Sequence, residues 1–142
     1  IAFTLLCQRV APWWGIQRVT KRVEQRSAAL LKKAGVKTVR HGDLTFVWPR
    51  HLDPATYREF RLPAAGQRRN ADELPPEEVA GAALFVLQSQ ISLPEEALVR
   101  EVARLLGYQR TGQELERRLR RGIALLLQSG QAQAQQDQIV VI

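Results

Sequence analysis

The sequence predicts a mainly α-helical chain with small β-hairpins, an α+β protein built from two copies of one unit. Three observations carry this. Leu6–Glu24 (LCQRVAPWWGIQRVTKRVE) aligns with Leu98–Glu116 (LVREVARLLGYQRTGQELE) at a constant shift of 92. Leu6/Leu98, Val10/Val102, Ala11/Ala103, Gly15/Gly107, Gln17/Gln109, Arg18/Arg110 and Glu24/Glu116 are identical. In each copy a run with helical spacing of apolar residues then ends in Gly, at Gly35 or Gly130, and a β-like segment follows. The second of these helices is three residues longer, so the shift becomes 95 at its end. A repeat of this length is a supersecondary unit used twice; a solenoid needs three or more stacked copies.

The second copy is the complete one. Pro75-Pro76-Glu77-Glu78 opens a helix, since Pro suits the first turn and acids complement the N-terminal dipole. It is expected to run to about Gln88 with Val79, Ala83, Val86 and Leu87 on one face. Ser89–Leu93 reads as a short extended segment, and Pro94-Glu95-Glu96 opens a second helix carrying Leu98, Val102, Leu105 and Leu106 up to Gly107. Thr111 with Glu114 reads as a capping box for a third helix, with Leu115, Leu119, Ile123, Leu126 and Leu127 at helical spacing. Gln131–Ala134 and Gln138–Ile142 then form a hairpin. Three helices followed by a hairpin is the winged helix-turn-helix order.

The first copy gives a helix over Phe3–Trp13, a turn at Gly15, a helix over Val19–Ala34, and strands Val36–Arg40 and Leu44–Trp48 around His41-Gly42-Asp43. Its counterpart of the first helix is missing. The expected organisation is therefore tandem winged helix-turn-helix repeats: a basic, truncated repeat over 1–48, a Pro/Arg-rich connector over 49–74, and a second repeat over 75–142. The connector is expected to be mostly extended, with one helical turn near Pro54–Glu59 and with Tyr57, Phe60 and Leu62 packing on a domain. Trp13 and Trp14 align with Leu105 and Leu106, so at least one of them is expected in the core, and Trp48 is expected to cover the hairpin.

Composition narrows the function classes. Hydrophobic residues make up 45% of the 142, a globular value. The longest uncharged apolar stretch, Val79–Leu87, is far short of the ~20 residues a membrane helix requires, and no signal peptide is recognisable. The chain starts at Ile1 without Met and is read as a piece of a longer protein. One cysteine, Cys7, excludes an internal disulfide and suits a reducing cytoplasm; on a helix it reads as a small core residue. No phosphate-cradling Gly-rich loop is present, one Cys and two His (His41, His51) do not make a four-ligand zinc site, and no cofactor is expected. The paired acids Glu77-Glu78 and Glu95-Glu96 are helix-start acids in this reading, so the segment is expected not to be an enzyme on its own.

Charge separates the copies. The net +7 divides into +10 over residues 1–70 and −3 over residues 71–142. Two copies of one fold with opposite charge do not do the same job; the basic one suits a polyanion. In a helix-turn-helix the second helix enters the major groove and its exposed N-terminal half touches bases. In the first copy the expected DNA-binding residues are Arg18, Lys21, Arg22, Gln25 and Arg26 at and along that half. Lys32 is expected at phosphates, and Lys37, Arg40 and His41 on the wing. Val23, Leu30 and Leu31 are expected to face inward. In the second copy Arg117, Arg118, Arg120 and Arg121 form a basic stripe, but Glu114 and Glu116 lie close by and the wing carries no Lys or Arg.

A family resemblance rests on the blocks Trp14–Arg18 (WGIQR), Leu74–Ala82 (LPPEEVAGA) and Leu106–Arg110 (LGYQR), with a basic helix, hairpin and Pro/Arg connector between them. The chain resembles the extreme C-terminal region, a domain of unknown function, of very large bacterial proteins built around a superfamily-one DNA helicase. Many of those also carry a Vsr-like or restriction-type endonuclease domain. The resemblance implies a setting on DNA but no catalytic residues here, since the helicase and nuclease motifs are absent. The function expected is a non-catalytic DNA-binding accessory module of such a protein. The alternative is an interaction or dimerisation module that packs on other domains of the parent protein, a homodimer included, without touching DNA.

Overall fold

A computed structural model describes all residues, 1–142. The architecture is mixed α+β, five helices with two small antiparallel sheets. The chain divides into two compact units, Ile1–Pro54 and Ala55–Ile142.

In the first unit α1 (Phe3–Val10) tightens into a 3-10 turn at Ala11–Trp14. The expected single helix through Trp13 is thus two pieces, and the break falls where Pro12 can donate no backbone hydrogen bond. Gly15, at φ 70, closes the turn by donating its N–H to the carbonyls of Ala11 and Pro12. Helix α2 runs over Lys21–Ala34, starting two residues later than the spacing suggested, because Thr20 is its cap and accepts from the Val23 N–H at 3.4 Å. Strands β1 (Lys37–His41) and β2 (Leu44–Trp48) pair from Lys37↔Trp48 to His41↔Leu44. The chain start lies along β2: Ile1 and Val47 exchange backbone hydrogen bonds and Ala2 bridges to Phe46. Cys7, fully buried on α1, sits next to Ser27 of α2, and burial pushes its thiol pKa up. It is a core residue and a poor nucleophile.

The second unit follows the order α3 (Pro76–Gln90), β3 (Ser92–Leu93), α4 (Glu95–Leu105), α5 (Gln113–Gln128), β4 (Ala132–Gln135), β5 (Gln138–Val141). The segment expected to be merely extended supplies a strand: β3 pairs with β5, giving a three-stranded sheet ordered β3-β5-β4. Its counterpart in the first unit is the Ile1–Ala2 pairing with β2. The expected capping box at Thr111 does not form; Gly112 is the cap of α5 and makes no side-chain hydrogen bond. Glu114 instead pairs with Arg117 and Arg118. Leu74, Val79, Leu87, Leu98, Val102, Leu106, Leu119, Ile123 and Leu126 form one core shared by the three helices and the sheet.

Helix α3 is buried nearly all round over its first half. Two glycines make that possible. A Cβ at Gly122 of α5 would lie 2.3 Å from Val79 Cγ1, and one at Gly81 would lie 2.4 Å from the Arg58 carbonyl oxygen. The second contact shows where the connector goes. Residues 55–74 lie on the second unit as a strap with a 3-10 turn at Ala71–Glu73, and an isolated turn at residues 54–56 falls where a helical turn was expected. Phe60 meets Phe85 edge-on at 5.4 Å, and the Tyr108 hydroxyl donates to the Arg69 carbonyl at 2.6 Å. Arg58 donates to Gln131 Oε1 at 2.6 Å.

Glu78 holds the strap. The sequence marks it as a helix-start acid, and its side chain is 2% exposed. It accepts from the Arg61 backbone N–H at 2.7 Å, from Arg61 Nη2 at 3.1 Å and from Arg69 Nη1 at 2.8 Å. Burial opposes its charge, but the hydrogen bonds from Arg69 and Arg61 outweigh that and hold its carboxyl below the usual carboxylate range.

Two consequences are measurable by urea unfolding. Gly81→Ala should destabilise the protein by about 1–3 kcal/mol through overpacking, although Ala is by itself the better helix former. Because the folded pKa of Glu78 is depressed, its contribution is fully present above the unfolded value near 4.3 and is lost as pH falls through the folded value. Glu78→Gln should cost about 3 kcal/mol at pH 7 and flatten the acid side of the stability profile.

Candidate nucleic-acid interface

The basic surface is built by the periodicity of α2. At 100° per residue, Lys21, Lys32, Gln25, Ala29, Arg22, Lys33 and Arg26 fall in succession on one side, while Val23 and Ser27, both buried, mark the other. All seven are exposed. Ala29 at the centre leaves the long cationic side chains room to spread. From Lys21 to Lys33 the face extends ~18 Å at 1.5 Å per residue. No ion pair engages Lys21, Arg22, Lys32 or Lys33. The Arg26 guanidinium lies over the Trp14 ring, 5.1 Å from its centroid. Arg18, in the loop before α2, is exposed near the helix start, where the dipole also favours an anion.

The hairpin does not gather its predicted residues onto the same surface. Register places Lys37 and His41 on the sheet face of Phe46 and Trp48, and Arg40 on the opposite face. Lys37 Nζ turns toward the segment after β2, 3.4 Å from the Leu52 carbonyl and 4.0 Å from Asp53. Arg40 Nε donates to the Gly42 carbonyl at 2.9 Å, folding its side chain back over the turn. His41 is half-buried, its ring 6.2 Å from Phe46. Arg18, Lys21, Arg22, Gln25, Arg26 and Lys32 thus share the α2 surface, and Lys37, Arg40 and His41 are distributed around the hairpin.

Two expectations about apolar residues on this unit are corrected. Leu30 is 47% exposed although its angular position lies between exposed Arg26 and buried Val23. Neither Trp13 nor Trp14 is fully buried: Trp13 is 81% exposed and Trp14 half-buried. The 3-10 turn adds rotation per residue, so alignment with Leu105 and Leu106, which end a regular helix, did not carry over. Pro12 was the signal that could have shown it. Trp48 is buried, as its strand position suggested.

The second unit offers a different surface at the equivalent helix. On α5, Arg117 pairs with Glu114, and Arg118 pairs with the same carboxylate at 2.7 Å. Arg120 reaches Glu116 at 2.9 Å and Glu95 at 3.0 Å. Hydrogen bonding from Arg117 holds the Glu114 carboxyl low, and the Glu116 hydrogen bond raises the Arg120 guanidinium. The basic stripe of α5 is thereby largely neutralised within its own helix. Ile1–Pro54 carries ten Lys/Arg against three Asp/Glu, whereas Ala55–Ile142 carries eleven against eleven.

Compared with family models, with curated proteins and with solved structures, the chain matches none of them. No group of three or more His, Cys, Asp or Glu is placed to hold a metal ion, and no helix is long and apolar enough to cross a membrane.

Proposed function

We propose that the chain is a non-catalytic DNA-binding module in which α2 lies in the major groove of a duplex. The observation that carries this is the contrast between two equivalent helices: α2 presents five cations on one exposed face without ion-pair partners, and α5 pairs three of its four arginines with its own glutamates. Counterion release rewards only cations not already paired. In this reading Arg22 and Gln25, in the N-terminal half of α2, reach base edges, where Arg matches guanine and Gln matches adenine. Arg18, Lys21, Lys32 and Lys33 sit at phosphates. Arg40 at the hairpin tip is a backbone contact on the flank.

The topology supports a finer reading of the fold as two winged-helix repeats, the first without its first helix. The order α3-β3-α4-α5-β4-β5, with β3 against β5, is helix, strand, two helices and hairpin; α1, α2, β1 and β2 repeat its later part. The resemblance described above suggests the setting: an accessory part of a large bacterial helicase or endonuclease-type protein, placing it on DNA.

Fluorescence anisotropy with a labelled duplex, over a series of salt concentrations, tests the reading. Five phosphate contacts predict a log–log salt slope of roughly −4 to −5. Replacing Lys21, Arg22 and Arg26 together by Glu should abolish measurable binding, while Arg104→Glu in the second unit should change it by less than about twofold. Binding of the triple variant as tight as the parent's would refute the proposal.

A further inference from the structure

The strap runs along one stripe of α3. The Arg58 and Glu59 carbonyls lie against Gly81, Arg61 reaches Glu78, and Phe60 meets Phe85. Positions 78, 81 and 85 have the i, i+3, i+7 spacing of one helix face. That face is poor in apolar surface: a carboxylate, a glycine, and a phenylalanine still 53% exposed with Phe60 against it. Val79, Ala83, Val86 and Leu87 instead belong to the core shared with α4, α5 and the sheet. Beside the apolar contacts of Phe60 and Pro63, the strap is held by hydrogen bonds from Tyr108, to Gln131 and to Glu78. The Arg61 and Arg69 side chains are 59% and 21% exposed, so water already reaches both.

From this we infer that residues 55–70 are a latch whose catch is the ionised Glu78 carboxylate. They lift from the second unit as one piece, pivoting at the 3-10 turn Ala71–Glu73, while α3, α4, α5 and the sheet stay folded. The pivot is fixed because Leu74, just after it, is buried in the core. In the open state water satisfies the freed hydrogen-bonding groups, and Glu78 becomes an ordinary first-turn acid that complements the helix dipole. The ionisable groups that feel the Glu78 charge are Arg61, Arg69 and Tyr57 of the strap and Tyr108 of the turn between α4 and α5. Glu59 and Glu73 act on those tyrosines, and Glu77 is the neighbour of Glu78 on α3. Both arginines stay charged and both tyrosines neutral below pH 7, so neutralising Glu78 is what frees the catch. Release turns residues 55–70 from a fixed course on the second unit into a flexible tether, and so lengthens the free chain after Pro54.

Limited tryptic digestion of the full chain, with products identified by mass, tests this. The strap holds cleavage sites at Arg58, Arg61, Arg68 and Arg69, and α5 holds them at Arg117 and Arg121. When opening is fast relative to cutting, cleavage tracks the population of the open form. In Glu78→Gln, cutting at Arg61 and Arg69 should be at least about tenfold faster than in the parent, with Arg117 and Arg121 cut at the parent's rate and helical circular dichroism kept. Arg61→Gln combined with Arg69→Gln, which leaves α3 untouched, should open the same segment, read at Arg58 and Arg68. Strap cleavage at the parent's rate in both variants would overturn the inference. So would cleavage of α5 that accelerates in step with the strap, or loss of helical signal in either variant, because the helices would then need the strap to stay folded.

Discussion

The second unit depends on how one buried carboxylate is satisfied. Glu78 stands in the first turn of a helix that is enclosed on nearly every side, and an ionised carboxylate there is tolerable only if its lone pairs are filled. Arg61 and Arg69 fill them from the strap, one with its backbone N–H as well as its guanidinium. The polar requirement of α3 thus determines the path of some twenty residues that have no regular structure of their own. Gly81 lets the strap backbone approach, and Gly107, at φ 92 beneath Pro63, lets it pass the end of α4. The core proper is conventional; the strap is what the charge of Glu78 recruits.

The first unit is held differently. No buried ion pair anchors it, and its small core around Cys7, Ala11, Val23, Phe46 and Trp48 is closed by a helix cap at Thr20, a left-handed turn at Gly15 and a short hairpin. Charge stays on its outside. Much of the sequence identity between the repeats lies in what makes the shared turn and helix contacts, such as Gly15/Gly107 and Val10/Val102. The positions that differ are where cations are either left free, as on α2, or neutralised in place, as on α5.

Much of the fold was legible because it rests on local signals. The glycine stops, the Pro-Glu-Glu helix starts and the apolar spacing on α4 and α5 located most elements to within a few residues, and the Gly42-Asp43 turn placed the first hairpin. What was not legible depends on contacts distant in sequence. Nothing near Glu78 marks it as buried, since the residues that claim it lie nine and seventeen positions earlier. The pairing of β3 with β5 likewise joins segments almost fifty residues apart, and two residues are too short for a pattern of period two. The basic face of α2 was readable from helical spacing alone. The hairpin residues were not, because Lys37, Arg40 and His41 depend on strand register and on which neighbour each side chain meets.

Cys7 gives the first unit a property the second lacks. It is the chain's only thiol, fully buried between α1 and α2. A thiol reagent reaches it only when those two helices part, so the rate of its modification counts local opening events of residues 1–54 and is blind to the rest of the chain. Opening of the first unit can thereby be timed in the intact protein, with no label added.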